Sequence, residues 1–137
     1  MIEMLIVVVV LGIMTAVSFP TISRITTHAR VNQAAAVVAH DLSVAASNAT
    51  RHRKPVRIMR GADKQSIYML DRVSGAVLSM RSLGPADAYA LDSVAFSVTP
   101  VDFLPNGFTS RALTLTLWSA GYSRQVTMSR AGWVRVP

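Results

Sequence analysis

The sequence predicts an α+β protein in which one long N-terminal helix packs on an antiparallel β-sheet domain. Three observations support this prediction: an uncharged apolar run at the N-terminus, a helical stripe of small apolar residues after it, and short β-type runs separated by turns from residue 55 onward. A chain of 137 residues fits one compact domain with an appended element. A second independent domain is not expected.

The apolar run extends from Met4 to Phe19 and contains no charged residue. Extended to Ile22, it approaches the roughly 20 residues that a helix needs to cross a bilayer. Glu3 stands at its start, where a carboxylate near hydrocarbon costs about 2–3 kcal/mol unless it snorkels, is protonated or meets a cation. The alternative is an interfacial glutamate that faces lipid headgroups. Pro20 removes a backbone donor and predicts a bend.

A cleaved secretory signal peptide is an alternative reading of the same run. Ala16-Val17-Ser18 has the small-x-small form of a cleavage site. However, no Lys or Arg precedes the run, whereas an acidic residue does, so a retained membrane helix is favoured.

A helical pattern continues beyond Pro20. Apolar residues recur at alternating spacings of three and four, with Ile22 and Ile25 upstream on a similar phase. The abundance of Ala favours helix and allows another element to approach closely. If the helix is continuous it spans about fifty residues, or roughly 75 Å. The stripe consists of Ala35, Val38, Leu42, Ala45 and Ala49.

The remainder of the chain predicts an antiparallel sheet. Its clearest alternation sets Leu113, Leu115 and Leu117 against polar or exposed neighbours, so one face is expected to be buried under the helix stripe. Turn signals such as Ser74-Gly75 and Ala120-Gly121 separate the runs. The predicted strands lie at 56–60, 66–70, 76–81, 93–98, 112–118, 123–129 and 132–136.

The N-terminal residues Met1-Ile2-Glu3-Met4-Leu5-Ile6, with the apolar run and Pro20 behind them, resemble the start of type IV pilins and type II secretion pseudopilins. That family has a Phe-Thr-Leu-Ile-Glu start and a helix-bending proline at the same distance. The resemblance implies a pilin fold. It also implies that Glu3 assists assembly by pairing with the terminal amine of a neighbouring subunit, and that Pro20 is the bend.

The second half resembles the GspH/FimT-like subgroup of minor pilins and pseudopilins. Lys54-Pro55-Val56-Arg57-Ile58 is similar to the subgroup's first strand after a basic turn. Phe103-Leu104-Pro105-Asn106-Gly107 and the strands after it are similar to its closing region. Gly132-Trp133-Val134-Arg135 is similar to the terminal Gly-Arg-x-Arg motif, with Trp133 in place of the first arginine.

This resemblance implies a structural subunit of a type IV pilus or a type II secretion pseudopilus. Residues 1–22 would form the transmembrane and polymerisation segment, 23–52 its amphipathic continuation and 53–137 the β-rich globular domain. The expected partners are other pilin or pseudopilin subunits, bound through the N-terminal helix, and inner-membrane lipid. The expected location is the inner membrane, crossed once, with the C-terminal domain periplasmic or in an extracellular filament. Prepilin peptidase and N-methylation are implied only if a leader exists upstream of Met1.

The charge balance introduces a competing hypothesis. There are 14 Lys and Arg residues against 7 Asp and Glu, and the net charge of +7 favours polyanionic partners. DNA binding in natural transformation, as proposed for some FimT-like proteins, is therefore the alternative function, although a solvated or subunit-contacting basic surface is favoured over it. The candidate DNA-binding residues are Arg51, Arg53, Lys54, Arg57, Arg130, Trp133 and Arg135.

No catalytic or metal-binding pattern is found. His28, His40 and His52 are twelve residues apart, so on one helix each is turned about 120° from the last, and they cannot share a metal. We expect them to be solvent-exposed. No phosphate-binding glycine loop, HExxH motif or nucleophile elbow occurs. The sequence predicts no enzyme, no cofactor and no metal.

Overall fold

A computed structural model describes residues 2–137, apart from the side chains of residues 17–21. Its first element is a single helix, α1, from Ile2 to His52. At 1.5 Å per residue, these 51 residues span roughly 75 Å. The helix is followed by Arg53, whose positive φ of 52° reverses the chain, and then by Pro55. Because a proline disfavours helical conformation in the residue before it, the helix cannot continue here.

Eight strands follow the helix and form two antiparallel four-stranded sheets. The first sheet has the order β3-β2-β1-β5, and the second has the order β4-β6-β7-β8. The strands are β1 Val56–Arg60, β2 Ser66–Asp71, β3 Val77–Ser82, β4 Ser93–Phe96, β5 Val101–Phe103, β6 Leu113–Ser119, β7 Tyr122–Met128 and β8 Val134–Arg135.

The core lies between the C-terminal half of α1 and the inner faces of both sheets. The predicted small-residue stripe is buried along its whole length, and the helix contacts β1 and β5 of the first sheet and β6, β7 and β8 of the second. Leu113, Leu115 and Leu117 are at most 1% exposed, which confirms their predicted inward face. The buried helix residues are Val31, Ala34, Ala35, Val38, Leu42, Ala45 and Ala49.

Ion pairing adds a second link between the helix and the first sheet. Arg81 on β3 reaches across to Asp41, with Nε donating to Oδ2 at 2.5 Å and Nη2 donating to Oδ1 at 2.9 Å. Such a bidentate contact fixes the relative orientation of the guanidinium and the carboxylate, in addition to the attraction between their charges. The outer strand β3 is therefore tied to the helix, although its side chains at Val77, Leu78 and Met80 are more than half exposed.

The hairpin between β6 and β7 has a two-residue turn at Ala120-Gly121. Both residues have positive φ, 46° and 80°, as a type I′ turn requires. Ser119 and Tyr122 close the strand register on either side of this turn. The Ala120 N–H donates to Asp92 Oδ2 at 2.8 Å, which fixes the tip against the start of β4.

The structure confirms the α+β class and the helix-on-sheet arrangement, with three differences from expectation. The expected single sheet is two sheets. Strand β5 was not predicted, because a three-residue strand between Pro100 and Pro105 offers little alternation. Ile22 and Ile25 lie outside the buried stripe and are 62% and 63% exposed, since the core ends at Val31.

The N-terminal half of α1 extends beyond the domain. The large apolar side chains of residues 2–14 are 48% to 78% exposed. Within the described part of the chain, no helical stretch has both the length and the apolar character needed to cross a membrane.

The buried alanines give the first testable prediction. Ala45→Leu places three extra carbons where the wild-type side chain is 0% exposed, so we expect a loss of about 1–3 kcal/mol in the free energy of unfolding. Urea denaturation of a fragment that begins near residue 25 measures it. The matched control is Ala36→Leu on the exposed face of the same helix, for which a change within about 0.5 kcal/mol is expected. Equal effects of both substitutions would contradict the close helix–sheet packing.

Candidate functional site

The uncovered N-terminal half of α1 is the first candidate site. The hydroxyl of Thr15 donates to the Leu11 carbonyl at 2.7 Å, so this polar side chain is satisfied inside the helix. Glu3 is different: within the described residues, no hydrogen bond or ion pair reaches its carboxylate. Apart from Thr15, the described side chains of residues 4–16 are apolar, and the carboxylate of Glu3 has no counter-charge among the described residues.

Pro20 lies within the span of α1, but its side chain falls among residues 17–21, outside the described residues. Its predicted role as the bend of the helix remains a prediction.

A second candidate site lies at the other end of α1, where three segments meet. A Cβ on Gly107 would lie 4.0 Å from Cγ2 of Thr50, and one on Gly132 would lie 3.0 Å from the Gly107 carbonyl oxygen. Both glycines have positive φ, so they combine close approach with a conformation that other residues rarely adopt. We call this region the basic end; it comprises residues 50–54, 104–108 and 129–135.

The loop between β5 and β6 is held in place by backbone hydrogen bonds, one of which reaches the β7–β8 turn. Thr109 N–H donates to the Arg130 carbonyl at 2.9 Å, and Leu104 N–H donates to the Phe108 carbonyl at 2.8 Å. The hydroxyl of Thr109 lies 3.2 Å from the Ser129 carbonyl oxygen and 3.1 Å from the Arg111 carbonyl oxygen, so it can donate to either. The β7–β8 turn is thus held beside the end of the helix.

The basic end brings together six of the seven candidate DNA-binding residues. Arg51, Arg53 and Lys54 are exposed at the helix end, while Arg130, Trp133 and Arg135 are exposed on the β7–β8 turn and β8. Trp133 is 75% exposed and, with Arg135, lines an open groove of about 420 Å³ over the paired threonines of β6 and β7. Arg51 also complements the negative end of the helix dipole, which by itself accounts for a cation there.

Arg57, the seventh candidate, is engaged elsewhere. Its Nε donates to Asp102 Oδ1 at 2.7 Å and its Nη2 donates to Oδ2 at 3.2 Å, across the β1–β5 register. Arg72 approaches the same carboxylate at 3.4 Å. The hydrogen bonds and charge of Arg57, together with the charge of Arg72, hold the pKa of Asp102 below its usual value, against a smaller opposing effect of burial.

The histidines are separated as the sequence predicts, but one of them has a specific partner. His28 stacks on Tyr122 with ring centroids 3.9 Å apart and an angle of 19° between the planes. All three histidines are exposed, as expected. Among the described residues, no group of three His, Cys, Asp or Glu side chains is placed to hold a metal ion. No sequence signal indicates the His28–Tyr122 contact, because 94 residues separate the partners.

A long, partly uncovered N-terminal helix that packs on antiparallel sheets is a pilin-like fold. A family model described as "Type II transport protein GspH" matches residues 34–132, and the chain belongs to this family. Among curated proteins, none matches the sequence.

Several solved structures share the fold, among them those of the following two proteins. The type IV minor pilin FimU of Pseudomonas aeruginosa is 22% identical with a TM-score of 0.67, over 82% of this chain and 91% of FimU. The minor pseudopilin EpsH of the Vibrio cholerae type 2 secretion system is 14% identical with a TM-score of 0.63, over 79% of this chain and 96% of EpsH. The chain is thus similar to subunits of both pilus and secretion systems.

The pKa of Asp102 gives the second prediction. Because its folded-state pKa is lowered, this carboxylate contributes stability that is present above about pH 4, the value for an unfolded chain, and is lost as pH falls through the folded value. Asp102→Asn should therefore make the unfolding midpoint fall less steeply as the pH is lowered below about 4. Thermal unfolding at a series of pH values measures the slope.

Arg57→Gln removes the same pair from its other side and should flatten the same part of the profile. If both variants keep the acid slope of the wild type, the Arg57–Asp102 pair does not contribute to stability.

Proposed function

We propose that this protein is a structural minor pilin or pseudopilin subunit that assembles into a type IV pilus or a type II secretion pseudopilus. The observation that carries the proposal is the apolar half-helix, whose large side chains are 48% to 78% exposed on a chain of the GspH family. A contiguous apolar surface of this length needs a cover of lipid or of other apolar helices. The role is structural, and we propose no catalysis.

In this proposal, residues 1–22 form the transmembrane and polymerisation segment, 23–52 the amphipathic continuation and 53–137 the globular domain. The subunit crosses the inner membrane once, with the domain periplasmic or in an extracellular filament. On assembly, residues 4–19 exchange lipid for neighbouring helices. Because lipid tails are as apolar as these side chains, this exchange has little hydrophobic driving force, and selectivity must come from packing and polar contacts.

Glu3 is proposed to supply that polar contact. A carboxylate close to hydrocarbon is costly alone, but pairing with the terminal amine of a neighbouring subunit neutralises it. The absence of a counter-charge for Glu3 among the described residues of its own chain supports an intermolecular partner. Pro20 is proposed to bend the helix so that neighbouring segments can pack.

The third prediction tests assembly. Glu3→Gln removes the charge but keeps the shape, and we expect its incorporation into fibres to fall about tenfold or more relative to wild type. Glu3→Asp should recover part of the loss. Co-expression with the other subunits, followed by quantification of the protein in sheared fibres, measures incorporation, and membrane fractions report whether the variant is still inserted. Normal incorporation of Glu3→Gln would refute the proposed pairing.

DNA binding in natural transformation is a second candidate function. It is favoured by the convergence of six candidate residues on the basic end, where exposed Trp133 and Arg135 line one groove. Arginines neutralise phosphates and release counterions, while an exposed tryptophan stacks on bases. Arg57 is expected to contribute least, because Asp102 already binds its guanidinium.

The fourth prediction tests this candidate. If the basic end binds DNA, Arg53→Ala and Arg135→Ala should each lower the slope of log affinity against log salt by about one, and Trp133→Ala should weaken binding to single strands about fivefold or more. Fluorescence anisotropy with labelled oligonucleotides between low and moderate salt measures both. The control is Arg30→Ala at the opposite end of the domain. No binding at low salt, or equal losses for Arg30→Ala, would exclude the basic end as a DNA site.

A further inference from the structure

The end of the domain nearest the apolar segment carries a depression between α1 and the tip of the β6–β7 hairpin. Its volume is about 250 Å³. Neither the pilin-type assembly proposed above nor the basic end uses it. It is lined by Ser23, Arg24, Thr27, His28 and Ala120.

The helix positions in this depression continue the domain-facing stripe. Arg24, His28, Val31 and Ala35 follow one another at spacings of four, three and four, so they share one face of α1. Val31 and Ala35 are fully buried against the sheets. One turn before Val31 the same face changes from apolar to cationic and hydrogen-bonding side chains, where the domain no longer covers it.

The hairpin tip gives the depression a rigid wall. Tyr122 stacks on His28 and its hydroxyl lies 3.4 Å from Asn32 Oδ1, while Asp92 holds the Ala120 N–H. The hydroxyl of Ser119 adds a bond of 3.0 Å to the Ala90 carbonyl. These contacts orient the imidazole of His28 and set the distance between helix and hairpin.

The available donors suit a phosphate. Thr27 already donates its hydroxyl hydrogen to the Ser23 carbonyl at 3.0 Å. The nitrogen donors on the side chains of the lining are the guanidinium of Arg24 and the imidazole of His28. Arg24 and Arg30 are the only charged residues, other than histidines, between residues 4 and 40 of the sequence. Asp92 is an acidic group at the tip, and its Oδ2 accepts from the backbone of Ala120.

Arg124 adds a further cation on this side of the domain. It lies two residues after Tyr122, on the same face of β7. Its Nε is buried and has no hydrogen-bond partner among the described residues.

The distance of the depression from the apolar segment, measured along α1, determines which layer of the membrane it contacts. Arg24 lies two residues, or about 3 Å, beyond Ile22, and His28 lies about 9 Å beyond it. The headgroup layer on each side of the hydrocarbon is about 5–8 Å thick. If residues 4–22 occupy the hydrocarbon, Arg24 therefore lies among the headgroup phosphates, and His28 lies at the outer edge of that layer.

From this geometry we infer that the depression binds the phosphate of an anionic phospholipid headgroup, through Arg24 and His28. The inference rests on the proposed insertion of residues 4–22 in the membrane. The bound headgroup sets the depth and rotation of the domain on the bilayer before assembly, because the depression opens on one face of the helix only.

The test uses the full chain in lipid nanodiscs of phosphatidylcholine that contain an increasing fraction of phosphatidylglycerol. Amide chemical shifts of residues 23–28 and 119–122 report occupancy of the depression. For the wild type we expect these shifts to saturate with the phosphatidylglycerol fraction. Arg24→Gln should raise the fraction needed for half of the shift about fivefold, the value of one cation at an anionic surface.

Arg30→Gln is the matched control, because it removes the same charge from an exposed position on the same helix. Six residues separate Arg24 and Arg30, so their side chains point about 120° apart. The control should stay within about twofold of the wild type. An equal loss for Arg30→Gln, an unchanged Arg24→Gln titration, or shifts that depend on the number of protein copies per disc would each overturn the headgroup site.

The same experiment separates this inference from the proposed function. Entry of the chain into pure phosphatidylcholine discs, without any response to phosphatidylglycerol, overturns the headgroup site alone. Failure to enter any disc overturns the membrane insertion and, with it, the headgroup site.

Discussion

The close approach of α1 to two sheets at once is the constraint on which the rest of the structure depends. Four alanines, at positions 34, 35, 45 and 49, are fully buried, so the strand backbones approach the helix without large side chains between them. Leu42 and Val38 fill the spaces between these contacts, and each buried aliphatic side chain contributes about 1.5–3 kcal/mol. The helix thus contacts strands of both sheets.

This arrangement also places the two candidate binding regions, the depression at the β6–β7 hairpin and the basic end, at opposite ends of the domain. Residues just before the buried stripe meet the β6–β7 hairpin, where Tyr122 lies against His28. Residues just after it meet the loop at Gly107 and the turn at Gly132. Both ends are cationic, yet they differ in kind: one is a small walled depression beside apolar helix, and the other is a broad exposed surface with an indole.

The sequence predicts most of the fold because the spacing of apolar residues along the chain indicates which segments form helix and which form strands. The stripe at 35–49 and the Leu113–Leu117 alternation each have the period of their element, and both are buried as expected. Periodicity cannot show where the partner surface ends, which is why Ile22 and Ile25 share the phase of the stripe but are exposed. The three-residue β5 is too short for any alternation to appear.

Pairing between distant residues is beyond such patterns. Twelve arginines and a handful of aspartates offer many combinations, and only the folded chain selects Arg57 with Asp102 and Arg81 with Asp41. The same holds for the basic end: the sequence indicates two separate clusters of cations, and Gly107 brings them together. A motif identified Glu3, but no pattern in the sequence indicates Tyr122 as the partner of His28.

The helix runs from Ile2 to His52 without interruption. The number of helical residues between the apolar segment and the β domain therefore sets the rotation of the domain around the helix axis relative to that segment. One residue inserted between Ile25 and Val31 would turn the whole β domain by about 100° around the helix axis, whereas four would bring it back to within about 40° and raise it by about 6 Å. The direction in which the β domain faces therefore depends on the number of helical residues between residue 22 and Val31.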